Sequence, residues 1–273
     1  MIKFPTLSEI LIILEDQVRN YGGELMKKIT NSLKVYFLLI IISSVCAFIY
    51  VLLPTGAYMP KQNMPFPKPF MALINALTVI FVYGGIGFLG IILSRKNGFK
   101  EIFNDEIKSS KNILKIILAG ISVGIIFIVV DVLLNKIFNM PLYTHPPFPA
   151  SLFASINAGV GEELMFRLFF ISFWVWIFSK IIKTEKNRNI LFWIIGAFSA
   201  IIFVLGHIPS VMMLYNYKTI YEISLPFWGM IIGLNSIVSI VAVYYFKKYG
   251  FIGAVLIHTF TDIIWHVLWG IIQ

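Results

Sequence analysis

Charged residues are scarce in this chain. They make up 13% of its 273 residues, whereas hydrophobic residues make up 59%, and the mean hydropathy is +0.87. Soluble domains contain about 25% charged and about 45–50% apolar residues, so this composition excludes an ordinary soluble domain and indicates an integral membrane protein. Cysteine is scarce too: Cys46 is the only one, which excludes a disulfide framework and predicts a small buried side chain within an apolar run.

The sequence also lacks internal repeats, low-complexity tracts and linkers, which predicts a single transmembrane domain over residues 35–273. The segment 1–34 has no small-residue cleavage site of the kind that ends a signal peptide, and its short apolar stretch soon meets Glu15 and Asp16. We therefore expect this segment to form a cytoplasmic amphipathic helix at the membrane interface.

Long apolar stretches, by contrast, are abundant. A hydrocarbon core about 30 Å thick is crossed by roughly 20 apolar residues in a helix. These stretches show no alternation with period two, so a β-barrel is not indicated and helices must satisfy the backbone in lipid. The predicted fold class is all-α, a polytopic membrane helical bundle of about seven transmembrane helices, with eight as the alternative. The seven stretches lie at about 35–53, 70–93, 116–134, 152–179, 190–208, 225–246 and 251–272.

Lys and Arg are distributed unevenly between these stretches. Alternate connecting segments hold 17 of them on one side and 4 on the other, with Arg167 inside a span as the 22nd. The positive-inside rule then predicts a multi-pass protein of the cell membrane with a cytoplasmic N-terminus. The formal net charge of +9 follows from this topology and from anionic lipid, so no nucleic-acid partner is expected.

Ionisable residues inside apolar spans are expensive to bury, and each is therefore a candidate functional residue. Asp131 stands alone near the end of the third stretch, where an interfacial or hydrogen-bonded role is expected. The other polar positions form three clusters in the fourth, fifth and seventh stretches: Glu162, Glu163 and Arg167; Phe203 and His207; His258, Asp262 and His266.

The first cluster, "GEELMFR", places Glu163 and Arg167 four residues apart on one helix face, where they can pair. Glu162 is rotated by about 100° and faces elsewhere in the bundle. A structural ion pair explains Glu163 and Arg167 but leaves Glu162 uncompensated. Two adjacent carboxylates in a low dielectric disfavour each other's charge, which favours a general base or acid at this position.

The other clusters supply imidazoles. His207 lies at the predicted end of the fifth span, one turn after Phe203, and Pro209 is expected to break the helix just beyond it. In the last span His258 and Asp262 share a helix face, which suits a metal-ligand pair, an oriented imidazole or a structural hydrogen-bonded pair. Since polar groups in the bundle can solvate one another, we expect all three clusters to converge on one interior site.

Three motifs thus follow one another along the chain: Glu162-Glu163-x-x-x-Arg167, then Phe203-x-x-x-His207, then His258-x-x-x-Asp262. Together they resemble the three-part signature of the CAAX protease and bacteriocin-processing family, also called CPBP or ABI proteins. The family consists of intramembrane endopeptidases and includes the type II CAAX prenyl proteases. The resemblance covers about residues 151–265 and implies a peptidase-like core there.

The resemblance also implies a role for each matched residue. Glu162 would be the catalytic glutamate, and His207 would help it to activate the water that attacks the peptide bond. His258 and Asp262 would stabilise the oxyanion or bind a metal ion. The supporting residues would be Glu163, Arg167 and Phe203.

Asp262 departs from the Asn that many family members carry at this position. Ionised Asp can only accept hydrogen bonds, so we expect Asp262 to orient His258 or to bind a metal. The donor types allow a metalloprotease with one zinc ion on Glu162, His207 and His258, and the sequence leaves metal-free and zinc-dependent mechanisms open. The implied partners are a peptide or lipidated protein substrate and membrane lipid.

The predicted orientation conflicts with one part of this resemblance. It places Glu162 and His207 in the outer half of the bilayer, whereas prenyl-protein processing should face the cytoplasm. Either one span is miscounted, or the substrate is a peptide reached from the membrane or from outside. Two further functions remain open from the sequence: a catalytically silent immunity or scaffold protein, and a transporter or proton relay that uses the buried Glu, His and Asp residues.

Overall fold

A computed structural model describes residues 7–58, 66–182 and 184–273. Within these ranges the chain is helical and contains no strand, so the all-α prediction is confirmed. The long helices are α1 (Leu7–Leu52), α2 (Lys68–Lys96), α3 (Ser110–Phe138), α4 (150–179), α5 (Glu185–Leu214), α6 (Leu225–Tyr249) and α7 (Phe251–Ile272).

Six of these helices contain stretches that are long and apolar enough to cross a membrane. The stretches are 22 to 31 residues long, which corresponds to about 33–46 Å of helix against a hydrocarbon core of about 30 Å. The seventh, α4, is a run of similar length that carries Glu162, Glu163 and Arg167. The chain is therefore a polytopic helical membrane bundle, and α4 carries the first motif.

Two helix boundaries differ from the predicted ones. Helix α1 runs without a break from Leu7 to Leu52, so one helix covers most of the segment 1–34 and the first predicted span, and the interfacial placement of that segment stays a prediction. No proline interrupts the chain there, and side chains such as Lys34 can direct their charge away from lipid along an apolar stem.

The second difference concerns Pro209, which does not end the fifth span. Helix α5 continues through this proline to Leu214. Proline removes one backbone hydrogen bond from a helix interior, but helices in membranes tolerate it when neighbouring groups compensate. His207 consequently lies within α5 rather than at its end.

Glycines allow α7 to lie very close to its neighbours α3 and α4. A Cβ atom on Gly159 of α4 would lie 2.1 Å from the Thr259 hydroxyl oxygen, and one on Gly124 of α3 would lie 2.5 Å from the Cβ of Ile264. Small residues at such crossings permit close packing of helices in membranes. This packing holds the His258 turn of α7 against the Glu162 turn of α4.

Asp131 binds the 139–149 loop, which connects α3 to α4. Its carboxylate accepts hydrogen bonds from the Tyr143 backbone N–H at 3.1 Å and from the Trp269 indole at 3.0 Å. The expected hydrogen-bonded role of Asp131 is confirmed. The loop lies beside the cavity that the three polar clusters line.

Candidate active site

Glu163 and Arg167 form an ion pair in the interior of the bundle. Arg167 Nη1 lies 3.1 Å from Glu163 Oε1, and both side chains are fully enclosed. The guanidinium carbon lies 4.7 Å from the centre of the Phe203 ring, where the electron-rich face attracts a cation. The pairing follows the i, i+4 spacing, whereas the contact with Phe203 joins α4 to α5 and is tertiary.

Glu162 faces in a different direction, as its 100° rotation requires. Its Oε2 atom is enclosed and has no hydrogen-bond partner among the residues that the structure describes. That oxygen lies 3.8 Å from His207 Nε2 and 3.8 Å from His258 Nε2. These distances exceed a direct hydrogen bond, yet a small group placed between could bond to the carboxylate and to an imidazole together.

His207 is oriented by its own helix. Its Nδ1 atom lies 2.8 Å from the Phe203 carbonyl oxygen. A carbonyl can only accept, so Nδ1 carries the proton and donates, and Nε2 is the atom directed at Glu162. The Phe203 ring lies 4.6 Å from the His207 ring and 5.6 Å from the His258 ring. Phe203 therefore packs against both imidazoles as well as the Arg167 guanidinium.

His258 is oriented by a hydrogen bond to Glu163, whereas Asp262 makes no hydrogen bond to it, so the role of Asp262 stays a prediction. His258 Nδ1 donates to Glu163 Oε1 at 2.8 Å, whereas Asp262 Oδ2 lies 3.6 Å from His258 Nε2, beyond hydrogen-bonding distance. The i, i+4 spacing in the sequence indicates Asp262 as a neighbour of His258, whereas the contact between His258 and Glu163 depends on how α4 packs against α7. The same Glu163 oxygen thus contacts both Arg167 and His258.

His266 pairs with a residue that the sequence analysis did not single out. Its Nδ1 atom lies 3.0 Å from Nδ1 of His145 in the 139–149 loop. One signal could have identified His145: among the four histidines it alone lies outside the predicted spans. Burial lowers the pKa of His145 to about 4, so the neutral form is favoured near neutral pH.

The three clusters line one cavity of about 220 Å³. Glu162, His207, His258 and Asp262 face it, together with Phe203. The side chains of Glu162 and His207 remain 31% and 32% exposed, whereas Glu163 is fully enclosed. The cavity therefore exposes the Glu162 carboxylate and the His207 imidazole, whereas the ion pair of Glu163 and Arg167 is shielded from it.

The described residues hold no group of three or more His, Cys, Asp and Glu side chains arranged to bind a metal ion. Zinc–ligand bonds of about 2.0–2.2 Å in a tetrahedral site place the donor atoms roughly 3.3–3.6 Å apart, closer than the 3.8 Å that separates Glu162 from each histidine nitrogen. As they lie, these donors do not fit a zinc ion, and zinc stays a prediction.

Comparison with known proteins finds one family. Residues 144–264 match the family model described as "Type II CAAX prenyl endopeptidase Rce1-like". No curated protein and no solved structure matches the chain. The matched region contains Glu162, His207, His258 and Asp262, and it confirms the resemblance to the CAAX protease family. Residues 144–264 of this membrane protein are thus similar to the Rce1-like family of CAAX-type endopeptidases.

Proposed function

We propose that the protein hydrolyses a peptide bond of a membrane-associated or lipidated peptide, with Glu162 as the general base. The observation that carries this proposal is the unpartnered Glu162 Oε2 atom, which has an imidazole nitrogen 3.8 Å away on each of two helices. A water molecule between these groups can donate one hydrogen to the carboxylate and the other to a neutral imidazole nitrogen.

His207 and Glu162 together activate this water. Because His207 donates from Nδ1 to the Phe203 carbonyl, its Nε2 is a hydrogen-bond acceptor. The hydrogen bond that Nε2 accepts from the water turns a lone pair of the water oxygen toward the substrate carbonyl. Glu162 accepts the proton as the C–O bond forms and delivers it to the leaving nitrogen as the C–N bond breaks. Such general base catalysis contributes typically about 10²–10⁴-fold.

His258 would stabilise the oxyanion of the tetrahedral intermediate. Its Nδ1 is held by Glu163, so Nε2 donates a hydrogen bond only when the ring carries a second proton. Asp262, 3.6 Å from that nitrogen, would favour the protonated ring through its charge. A donor aimed at the developing oxyanion contributes about 3–4 kcal/mol in comparable sites.

The proposal is tested by peptide cleavage with purified protein and its Glu162→Gln variant. Glutamine keeps the size of the side chain but cannot accept the proton, so we expect cleavage to fall by about 10²-fold or more with an unchanged melting temperature. A fully active Glu162→Gln protein would refute the mechanism. Cleavage that is absent from the native protein as well would favour the silent scaffold or the proton relay.

A further inference from the structure

The cavity lies toward one end of the helical bundle. Two of its helices line it with residues at or before their middle, from Ala154 to Glu162 in α4 and from Met230 to Val238 in α6. The helices α3 and α5 run the opposite way and line it with their second halves, whereas α7 lines it with its middle, from His258 to His266. These positions place the cavity between the middle of the bundle and the end where the 139–149 loop lies.

That end of the bundle carries few cations. The sequence segments there hold 4 of the Lys and Arg residues, whereas the segments at the other end hold 17. The cation-rich end is ordered by ion pairs such as Arg95 with Glu101 at 2.7 Å and Lys28 with Asp105 at 3.2 Å. The positive-inside rule places the cation-rich end in the cytoplasm, so the cavity belongs to the opposite half.

The cavity reaches the surface at the cation-poor end. Tyr58, Tyr143 and Pro146 line it from the two loops there, and Ser210 of α5 is both exposed and part of its wall. Glu162 lies 12 positions after the first residue of α4. This places it about 18 Å along the helix axis from the start of α4 at the cation-poor end.

We infer that the substrate enters this site from the non-cytoplasmic side of the membrane, as an extended and unfolded peptide segment. The inference rests on the proposed function. A depth of about 18 Å equals roughly five residues of extended chain at 3.3–3.6 Å each. The substrate class is thus a peptide with about five or more unstructured residues next to the cleaved bond, presented at the outer surface.

The first test locates the mouth of the cavity without requiring activity. The buried Cys46 is replaced by alanine, and Ser210→Cys and Ser110→Cys are made separately, both at exposed serines. A membrane-impermeant maleimide should label Ser210→Cys in intact cells, and Ser110→Cys only after permeabilisation. Tyr221→Cys, at a residue that is 91% exposed in the segment between α5 and α6, serves as a second reporter. The reverse pattern would overturn the inference.

The second test measures entry directly. A soluble unstructured peptide is added to right-side-out and to inverted membrane vesicles, with Glu162→Gln vesicles as the control. Hydrolysis should occur with right-side-out vesicles only. Hydrolysis by inverted vesicles, alone or equally, would overturn the inference but leave the proposed function intact. If detergent-solubilised protein also cleaves nothing, the proposed function fails, and the labelling result alone decides the side of entry.

Discussion

Glu163 joins two motifs that are almost a hundred residues apart. A single oxygen of this fully enclosed carboxylate contacts Arg167 at 3.1 Å and His258 at 2.8 Å. Removing one partner of a buried charge pair costs far more than losing a surface pair, because the remaining charge is left without compensation. The residue therefore stabilises the bundle and orients an imidazole with the same atom.

We expect Arg167→Ala to lower stability by about 3–5 kcal/mol, since Glu163 would remain buried with its cation removed. Thermal unfolding in detergent measures the loss. Adding Glu163→Gln removes the isolated charge, so the double variant should recover part of the melting temperature. Because the introduced amide would no longer hold His258 as a carboxylate does, cleavage by the double variant should stay low. An Arg167→Ala protein as stable as the native one would contradict this role.

At the scale of elements, the 139–149 loop is held against α3, α7 and the residue that follows α5. Asp131 of α3 binds its Tyr143 amide, the Tyr215 hydroxyl accepts from its Thr144 amide at 3.1 Å, and His145 meets His266 of α7. Of the groups in this loop, His145 has the ordinary pKa nearest to neutral pH.

We expect the native protein to lose stability as the pH falls from about 6.5 to about 4. The pKa of His145 is lowered to about 4 by burial, against about 6.5 for an unfolded histidine. Between these values the unfolded chain binds more protons, so stability falls as the pH falls. His145→Asn cannot titrate, and its melting temperature should decline less steeply over this range. Equal slopes for the two proteins would contradict the assignment.

At the scale of the whole molecule, the bundle brings side chains from α4, α5 and α7 to one cavity and leaves the cations at the opposite end. Gly159 and Gly124 allow α7 to approach its neighbours closely, so the spacing of Glu162 from both histidines depends on helix packing. The same packing decides whether the donors can close around a metal ion.

We expect cleavage activity to survive chelation, because the donors as placed do not form a metal-binding group among the described residues. Purified protein dialysed against a chelator should keep its activity, and elemental analysis should find far less than one zinc per chain. The zinc-dependent alternative makes the opposite prediction: activity lost on chelation and restored by added zinc. His207→Ala, which removes one donor, then serves as the control for metal content.

The sequence by itself determined the class of the protein and the identity of the candidate residues. Composition and apolar length indicate a helical membrane bundle, and the pairing of Glu163 with Arg167 follows from helical periodicity, which is a local property. The three motifs also indicated the family. Each of these features depends on residues close together in the chain, so no knowledge of the packing was needed.

Only the tertiary structure decided which groups meet across helices. It assigned Glu163 rather than Asp262 as the hydrogen-bond partner of His258, and it brought His145 to His266. It also showed that α5 continues through Pro209, where the sequence had predicted the end of the helix. Such contacts depend on how closely helices pack and on which face each presents to its neighbour, and neither is specified by the spacing of residues within a single helix.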